Sequence, residues 1–546
     1  MDRVNSPGAQ SVPSTPLDQA MASFENLVAL ANYQERIKGA RKIIWRDRGQ
    51  PVVDLRTLRE CLEHAGRGGL RSAMLAFNIR ASFNLVLTLI KMRRVPRARW
   101  FALVREAIFG ADSFRFAAML GTFAALYKFL INALPIKFPV IRPSLPSPFE
   151  DAVSEDGGTD SGLTTPGIVR GRHPPRLSLS AHARVELVRK RTRRWHSALA
   201  GALSGGLAIL WEKRGRRTFI AQQVFVRGLQ GTYNAYSEKW GVTIPYGAVI
   251  VFSLACGQIM YGFFLRPDTL PPSYNKWILA ASRANADVFK VNVDLVQRNT
   301  LDFAALDRLI ARPDVTLTNL AALRSLRDRA LAGLPIPRYA PCSVLHPETT
   351  LCRTSLFLRF FEVARWMFPI YSALHVLPTL LFRFRVVRAD PAGFVARAGT
   401  GGLRSSAFLG AFVIICQSVF CVKHDLYERL MALPPSALLR RLIPQALIDA
   451  LLHKMTWWLP GFLTGLALLI EDRRRRAELA MYVLPKGLES LWIAARGRGY
   501  VVHTGNWGEG VLAAVGMGMV MTIYQNDPHH LSGLVRRVLY QFIGPN

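Results

Sequence analysis

Along this chain, long apolar runs alternate with short stretches dense in arginine, lysine and proline. A helical crossing of a bilayer asks for about 20 apolar residues. Residues 116–136 meet that with Lys128 as their one charge, and 244–265 do so with no charge at all. Residues 405–422 form another uncharged run, and 511–524 a shorter one that extends toward Trp507 or Asn526. Residues 70–90 are apolar but carry Arg71 and Arg80, so they are either interfacial or spanning, and Gly66, Gly68 and Gly69 break the helical pattern before them. Residues 366–382 hold Pro369, Pro378 and His375, which suits an interfacial or re-entrant segment. Mixed-charge helical spacing over 24–45 and 52–64 predicts amphipathic surface helices, and over 284–334 a soluble helical insert.

One pattern occurs twice. Residues 201–236, GALSGGLAILWEKRGRRTFIAQQVFVRGLQGTYNAY, and 461–494, GFLTGLALLIEDRRRRAELAMYVLPKGLESLWIA, each place a glycine-rich apolar helix before an acidic residue, an arginine burst and a second apolar helix. From Gly206 the copies align without a gap, and Gly257/Gly516, Met260/Met519 and Asp268/Asp527 keep the register. Upstream, RFAAMLGTF (115–123) matches RSSAFLGAF (404–412). This predicts an all-α, polytopic membrane protein of two duplicated units, each with about four transmembrane helices: 116–136, 195–211, 218–236 and 244–265, then 405–422, 456–470, 477–494 and 507–525. The chain divides into a disordered start with surface helices (1–65), a first membrane repeat (66–282) with a disordered linker at 137–194, the insert (283–340) and a second repeat (341–546). The linker's proline, serine, glycine and acidic residues cannot bury enough apolar surface to fold.

Charge adds a topology. Lys plus Arg number 70 against 37 Asp plus Glu, a formal +33. The basic clusters abut apolar helices, so anionic lipid headgroups at the arginine and lysine loops are the expected partners, with no nucleic acid. EKRGRR (212–217) and EDRRRR (471–476) belong on one side of the membrane, which favours a parallel over an inverted arrangement of the repeats. A second copy of the chain or other membrane proteins are further expected partners. Residues 1–20 contain neither the apolar core of a secretory signal nor an arginine-rich presequence, so internal segments are expected to direct insertion.

Three groups of residues bear on chemistry. Gly121, Gly201, Gly205, Gly206, Gly228, Gly410, Gly461, Gly465 and Gly487 let helix backbones approach in lipid, or line a smooth pore face. Arg227 and Lys486 lie inside predicted spans, where a charge costs at least about 2.5 kcal/mol and needs a partner or a wet cavity. Gln230 and Glu489, one turn on, or Glu212 and Glu471, on the preceding helix, can serve, giving either a structural bridge or a polar path. Cys342, His346 and Cys352 offer three widely spaced ligands where a structural zinc site needs four, so they are expected to form an ordered juxtamembrane loop without metal. No nucleophile elbow, P-loop or metalloprotease motif is present, and neither enzymatic activity nor a cofactor is expected.

WHSALAGALSGGLAILWEKRG (195–215) resembles the central helix of the mitochondrial inner-membrane translocase channels and their peroxisomal relatives. FLGAF (408–412), PGFLTG (460–465), LPKGLES (484–490), LPPSYNKW (270–277) and the Cys342/His346/Cys352 loop are together similar to the transmembrane-protein-135 family. That resemblance implies a multi-pass membrane protein of peroxisomes or mitochondria, tied to lipid transport and homeostasis and to organelle maintenance. A translocase-like pore or import component, and a scaffold recruiting partners through the linker and insert, are the alternatives.

Overall fold

The computed structural model describes residues 55–138 and 193–544, apart from 56, 93, 94, 383, 435, 436 and 503. The expected start at 1–20, the helix at 24–45 and nearly all of the linker lie outside these residues. The described chain is helical: α1 (Leu58–Met92), α2 (Ala111–Lys137), α3 (Arg194–Ala208), α4 (Arg214–Trp240), α5 (Gly247–Leu265), α6 (Ala286–Gln297), α7 (Phe303–Ile310), α8 (Leu317–Leu331), α9 (Cys352–Phe382), α10 (Pro391–Ala432), α11 (Trp458–Leu463), α12 (Arg473–Gly497), α13 (Gly508–Asn526) and α14 (Gly533–Ile543), with short helical turns between them.

Among the described residues, four helical stretches are long and apolar enough to cross a membrane: Leu58–Met92, Arg97–Lys137, Gly247–Leu265 and Pro391–Ala432. The 70–90 run therefore belongs to a helix of spanning length. Its glycines do not break it. A Cβ on Gly69 would lie 2.7 Å from the Ala125 Cβ and 3.0 Å from the Gly121 carbonyl, so the glycine is where α1 closes on α2. Residues 366–382 belong to the continuous 31-residue helix α9, packed along α10, and not to a re-entrant turn. The hairpin helices are shorter or more polar than expected. α3 has 15 residues, a rise of about 22 Å, and continues only as the 3-10 turn Ile209–Trp211. Before α12 the 3-10 segment is longer, Thr464–Ile470 after α11. α5 begins three residues late because Tyr246 is in the left-handed region (φ 55°), directly after Pro245.

The described residues form two compact units, one within 244–502 and the other from 55–138, 193–243 and 504–544. In the second unit α13 packs against α3 and α4. In the first unit α5 packs against α11, its 3-10 extension and α12. The α3–α4 hairpin is thus closed by α13 and the α11–α12 hairpin by α5, and the chain changes unit in the short segments 241–246 and 498–507. The core of the second unit joins Phe123, Tyr127 and Ile131 of α2 with Ala200, Val520, Met521 and Ile543. α3 turns its small residues inward and leaves Leu199, Leu203 and Leu207 at 39, 44 and 51% exposure, a stripe at i, i+4, i+8 suited to lipid contact.

The 283–340 insert has a core of its own, built from Val291, Leu295, Leu306, Leu309 and Leu323. Each of its helices starts at a side-chain cap. Asn285 accepts from the Asp287 amide (2.9 Å), Asp302 from Ala305 (3.0 Å) and Thr316 from Asn319 (3.4 Å). Asp302→Ala is expected to cost about 1 kcal/mol. Amide exchange should then be roughly fivefold faster in α7 and unchanged in α2; unchanged α7 exchange would show that the cap does not hold this helix.

Candidate functional site

The two acidic residues before the arginine bursts are buried, Glu212 at 1% and Glu471 at 2% exposure. Each serves its own arginine loop. Arg216 donates to Glu212 Oε1 through Nε (3.1 Å) and Nη2 (2.6 Å), and the Lys213 amide donates to the same oxygen at 2.8 Å. Arg216 also reaches Asp112, which Arg80 holds from α1 at 2.8 Å. At the second loop, Ser405 Oγ donates to Glu471 Oε1 at 2.6 Å, and Arg475 Nη1 lies 3.5 Å from Oε2 and 3.1 Å from Ser405. The next arginine closes the preceding helix at both loops. Arg217 donates to the carbonyls of Glu212 and Leu210, and Arg476 to those of Glu471 and Leu469. These are the carbonyls a helix end leaves without partners. Lys213, Arg214, Arg473 and Arg474 remain on the surface.

The six residues of the expected polar path therefore separate into two kinds. Glu212 and Glu471 belong to the loops. The intrahelical cations pair along their own helices: Arg227 Nη1 donates to Gln230 Oε1 at 2.8 Å, and Lys486 Nζ to Glu489 Oε2 at 2.7 Å. Both side chains of the Lys486–Glu489 pair are about one-fifth exposed, at 23 and 21%. Leu488, Leu491 and Trp492 beside them are exposed, as are Leu229 and Tyr233 beside Arg227.

The glycines are contact points between helices. A Cβ on Gly201 would lie 2.7 Å from the Met517 carbonyl, and Gly205 is closed by the Met517 side chain. Gly206 meets Ala514, Gly228 the Gly516 carbonyl, Gly121 Ala73 and Gly410 Phe360. In the other hairpin, Gly461 meets the Cys256 carbonyl, Gly465 the Ser253 side chain and Gly487 the Ala255 backbone.

The juxtamembrane loop gains a fourth member that its sequence spacing does not reveal. Cys421, on α10, brings its sulfur to Cys342, His346 and Cys352, and the four potential ligand atoms lie within 4.8 Å of one another. Cys342 Sγ and Cys352 Sγ are 3.7 Å apart, and Cys352 Sγ is 3.3 Å from His346 Nε2. The other imidazole nitrogen, Nδ1, is 2.9 Å from the Thr349 carbonyl, which can only accept, so Nδ1 carries the proton and Nε2 faces the sulfurs. Asn319 of α8 fixes this loop by donating to the carbonyls of His346, Pro347 and Thr349 at 3.3, 3.0 and 2.9 Å. Hydrogen bonding to Cys421, and next to His346, pulls the Cys342 thiol down to about 4. No spacing rule links Cys421 to the loop; a lone cysteine in an apolar helix reads as core. No protein-family model, curated protein or solved structure matches the chain.

Proposed function

We propose that the chain is a non-enzymatic, multi-pass organelle-membrane protein of two four-span repeats that handles lipid. The Lys486–Glu489 and Arg227–Gln230 pairs are its headgroup contacts. One observation carries the reading: a charged pair only about one-fifth exposed lies beside the exposed apolar residues Leu488, Leu491 and Trp492. A phospholipid or acyl conjugate has the matching chemistry, with an anionic or zwitterionic group beside hydrocarbon. In hydrocarbon alone the pair would be held at a cost, so its position is explained if a polar ligand or interfacial water shares it. The exposed arginines of the two loops supply the surface at which anionic headgroups collect. Placement in peroxisomes or mitochondria rests on the sequence resemblance to the transmembrane-protein-135 family. A pore lined by the glycine faces has no support in the packing, since Met517 and Ser253 close Gly205 and Gly465.

Cells lacking the native gene test this. Arg227→Leu with Lys486→Leu is expected to restore membrane insertion but less than about one-tenth of the wild-type effect on lipid distribution, a loss of at least ~1.4 kcal/mol in headgroup interaction. Arg227→Lys with Lys486→Arg, which keeps both charges, is expected to restore most of it. Full rescue by the double leucine variant would end the proposal.

A further inference from the structure

We propose that Cys342, His346, Cys352 and Cys421 bind one zinc ion in a closed structural site that fastens the insert to α10. The site is independent of the lipid reading. Three thiolates and an imidazole on Zn–S bonds of about 2.3 Å and Zn–N bonds of about 2.0 Å define a tetrahedron with S···S edges of roughly 3.8 Å and S···N edges of roughly 3.5 Å. The chain holds one S···S pair at 3.7 Å and one S···N pair at 3.3 Å. Few arrangements other than a shared ion bring so many soft ligand atoms that close.

The surroundings agree with a metal site and not with a chance contact. His346 is buried, at 1% exposure. Its Nδ1–H is committed to the Thr349 carbonyl, which leaves the Nε2 lone pair aimed at the sulfurs, the tautomer a metal requires. Asn319 is a buried side chain whose amide group holds three loop carbonyls. It fixes the ligand-bearing turn from a helix that carries none of the ligands. A set of three sulfurs and one nitrogen selects zinc over magnesium or calcium, which need oxygen. Four protein ligands leave no open position for substrate or water, so the role is structural. Binding replaces the thiol protons: three thiols and a neutral imidazole with Zn²⁺ give a complex of net charge −1, releasing one proton for each thiol not already ionised.

The ion would join pieces of chain that sequence keeps apart. Cys342 follows the insert, Cys352 opens α9, and Cys421 sits in the third quarter of α10. A covalent clip across that loop constrains the unfolded chain much as a disulfide does.

The test uses the full-length protein, purified in detergent or nanodiscs with a reductant and without chelator. Elemental analysis is expected to find about one zinc per chain. Replacement by Co²⁺ should give the intense visible bands and near-ultraviolet thiolate charge-transfer of a tetrahedral site. Cys421→Ser should reduce zinc to background, whereas Cys416→Ser, a buried cysteine on the same helix outside the cluster, should keep it. His346→Cys should also keep it, with a cobalt spectrum shifted toward four thiolates. The cobalt spectrum of the unaltered chain decides the matter even if Cys421→Ser does not fold. Three results would overturn the proposal: no zinc taken up by the reduced protein, a weak octahedral cobalt spectrum, or zinc content undiminished in a folded Cys421→Ser.

Discussion

Glu471→Ala is expected to lower the thermal midpoint of the reconstituted protein by on the order of 10 °C. Glu471 is 2% exposed and takes a 2.6 Å hydrogen bond from Ser405 Oγ, with Arg475 beside both. Removing the carboxylate leaves a guanidinium, 19% exposed in its side chain, without its counter-charge, and a buried hydroxyl without its acceptor. Breaking one half of a buried pair typically costs about 3–5 kcal/mol, and each kcal/mol moves the midpoint of a unit this size by about 2–4 °C. Replacing both partners, Glu471→Leu with Arg475→Leu, should recover much of the loss, because two charges then leave the interior together. Thermal unfolding followed by fluorescence in nanodiscs measures all three chains. A single variant as stable as wild type would show that the pair is solvated.

Gly516→Leu should be as damaging for a different reason. A Cβ on Gly516 would sit 2.7 Å from both the Cα and the amide nitrogen of Phe225 and 3.1 Å from the Val224 carbonyl carbon. All three are backbone atoms, so no rotamer change relieves the contact and α13 must move off α4. Overpacking of that kind costs about 3 kcal/mol or more, and in a membrane it also removes close backbone contact as a source of helix association. Gly215→Leu, at a site with nothing within 4 Å, is the control for the substitution itself. Size-exclusion after graded heating should separate the two chains by several degrees. Equal loss of the monodisperse peak would mean that α13 and α4 are not held together by this contact.

Several elements are legible from the sequence for identifiable reasons. Residues 244–265 and 405–422 declare helices by length without charge, and the structure places Gly247–Leu265 and Pro391–Ala432 there. The insert is legible because Asn285, Asp302 and Thr316 are cap residues in front of apolar periodicity, and all three cap. The departure at Gly66, Gly68 and Gly69 has an equally local origin. Read alone, clustered glycines weaken a helix by about 1 kcal/mol each; packed against Ala125 and Gly121, Gly69 is what lets α1 and α2 meet. Of the two partner sets open to Arg227 and Lys486, the structure shows Gln230 and Glu489, while Glu212 and Glu471 go to arginines one turn away, which have the shorter route to each carboxylate.

The sequence by itself determined that the chain is helical, that its apolar runs are long enough for a bilayer, and which residues carry charge within them. Those properties depend on neighbours a few positions apart. Tertiary structure alone decided that α13 closes the α3–α4 hairpin and α5 the α11–α12 hairpin, and that Cys421 joins the loop at Cys342, His346 and Cys352. Both α5 and α13 offer small residues to a neighbour, Ala255 and Gly257 in one, Ala514 and Gly516 in the other, so local pattern cannot choose between them as a partner. A ligand from a distant helix obeys no spacing, because its approach is set by how the helices pack and not by the chain between them.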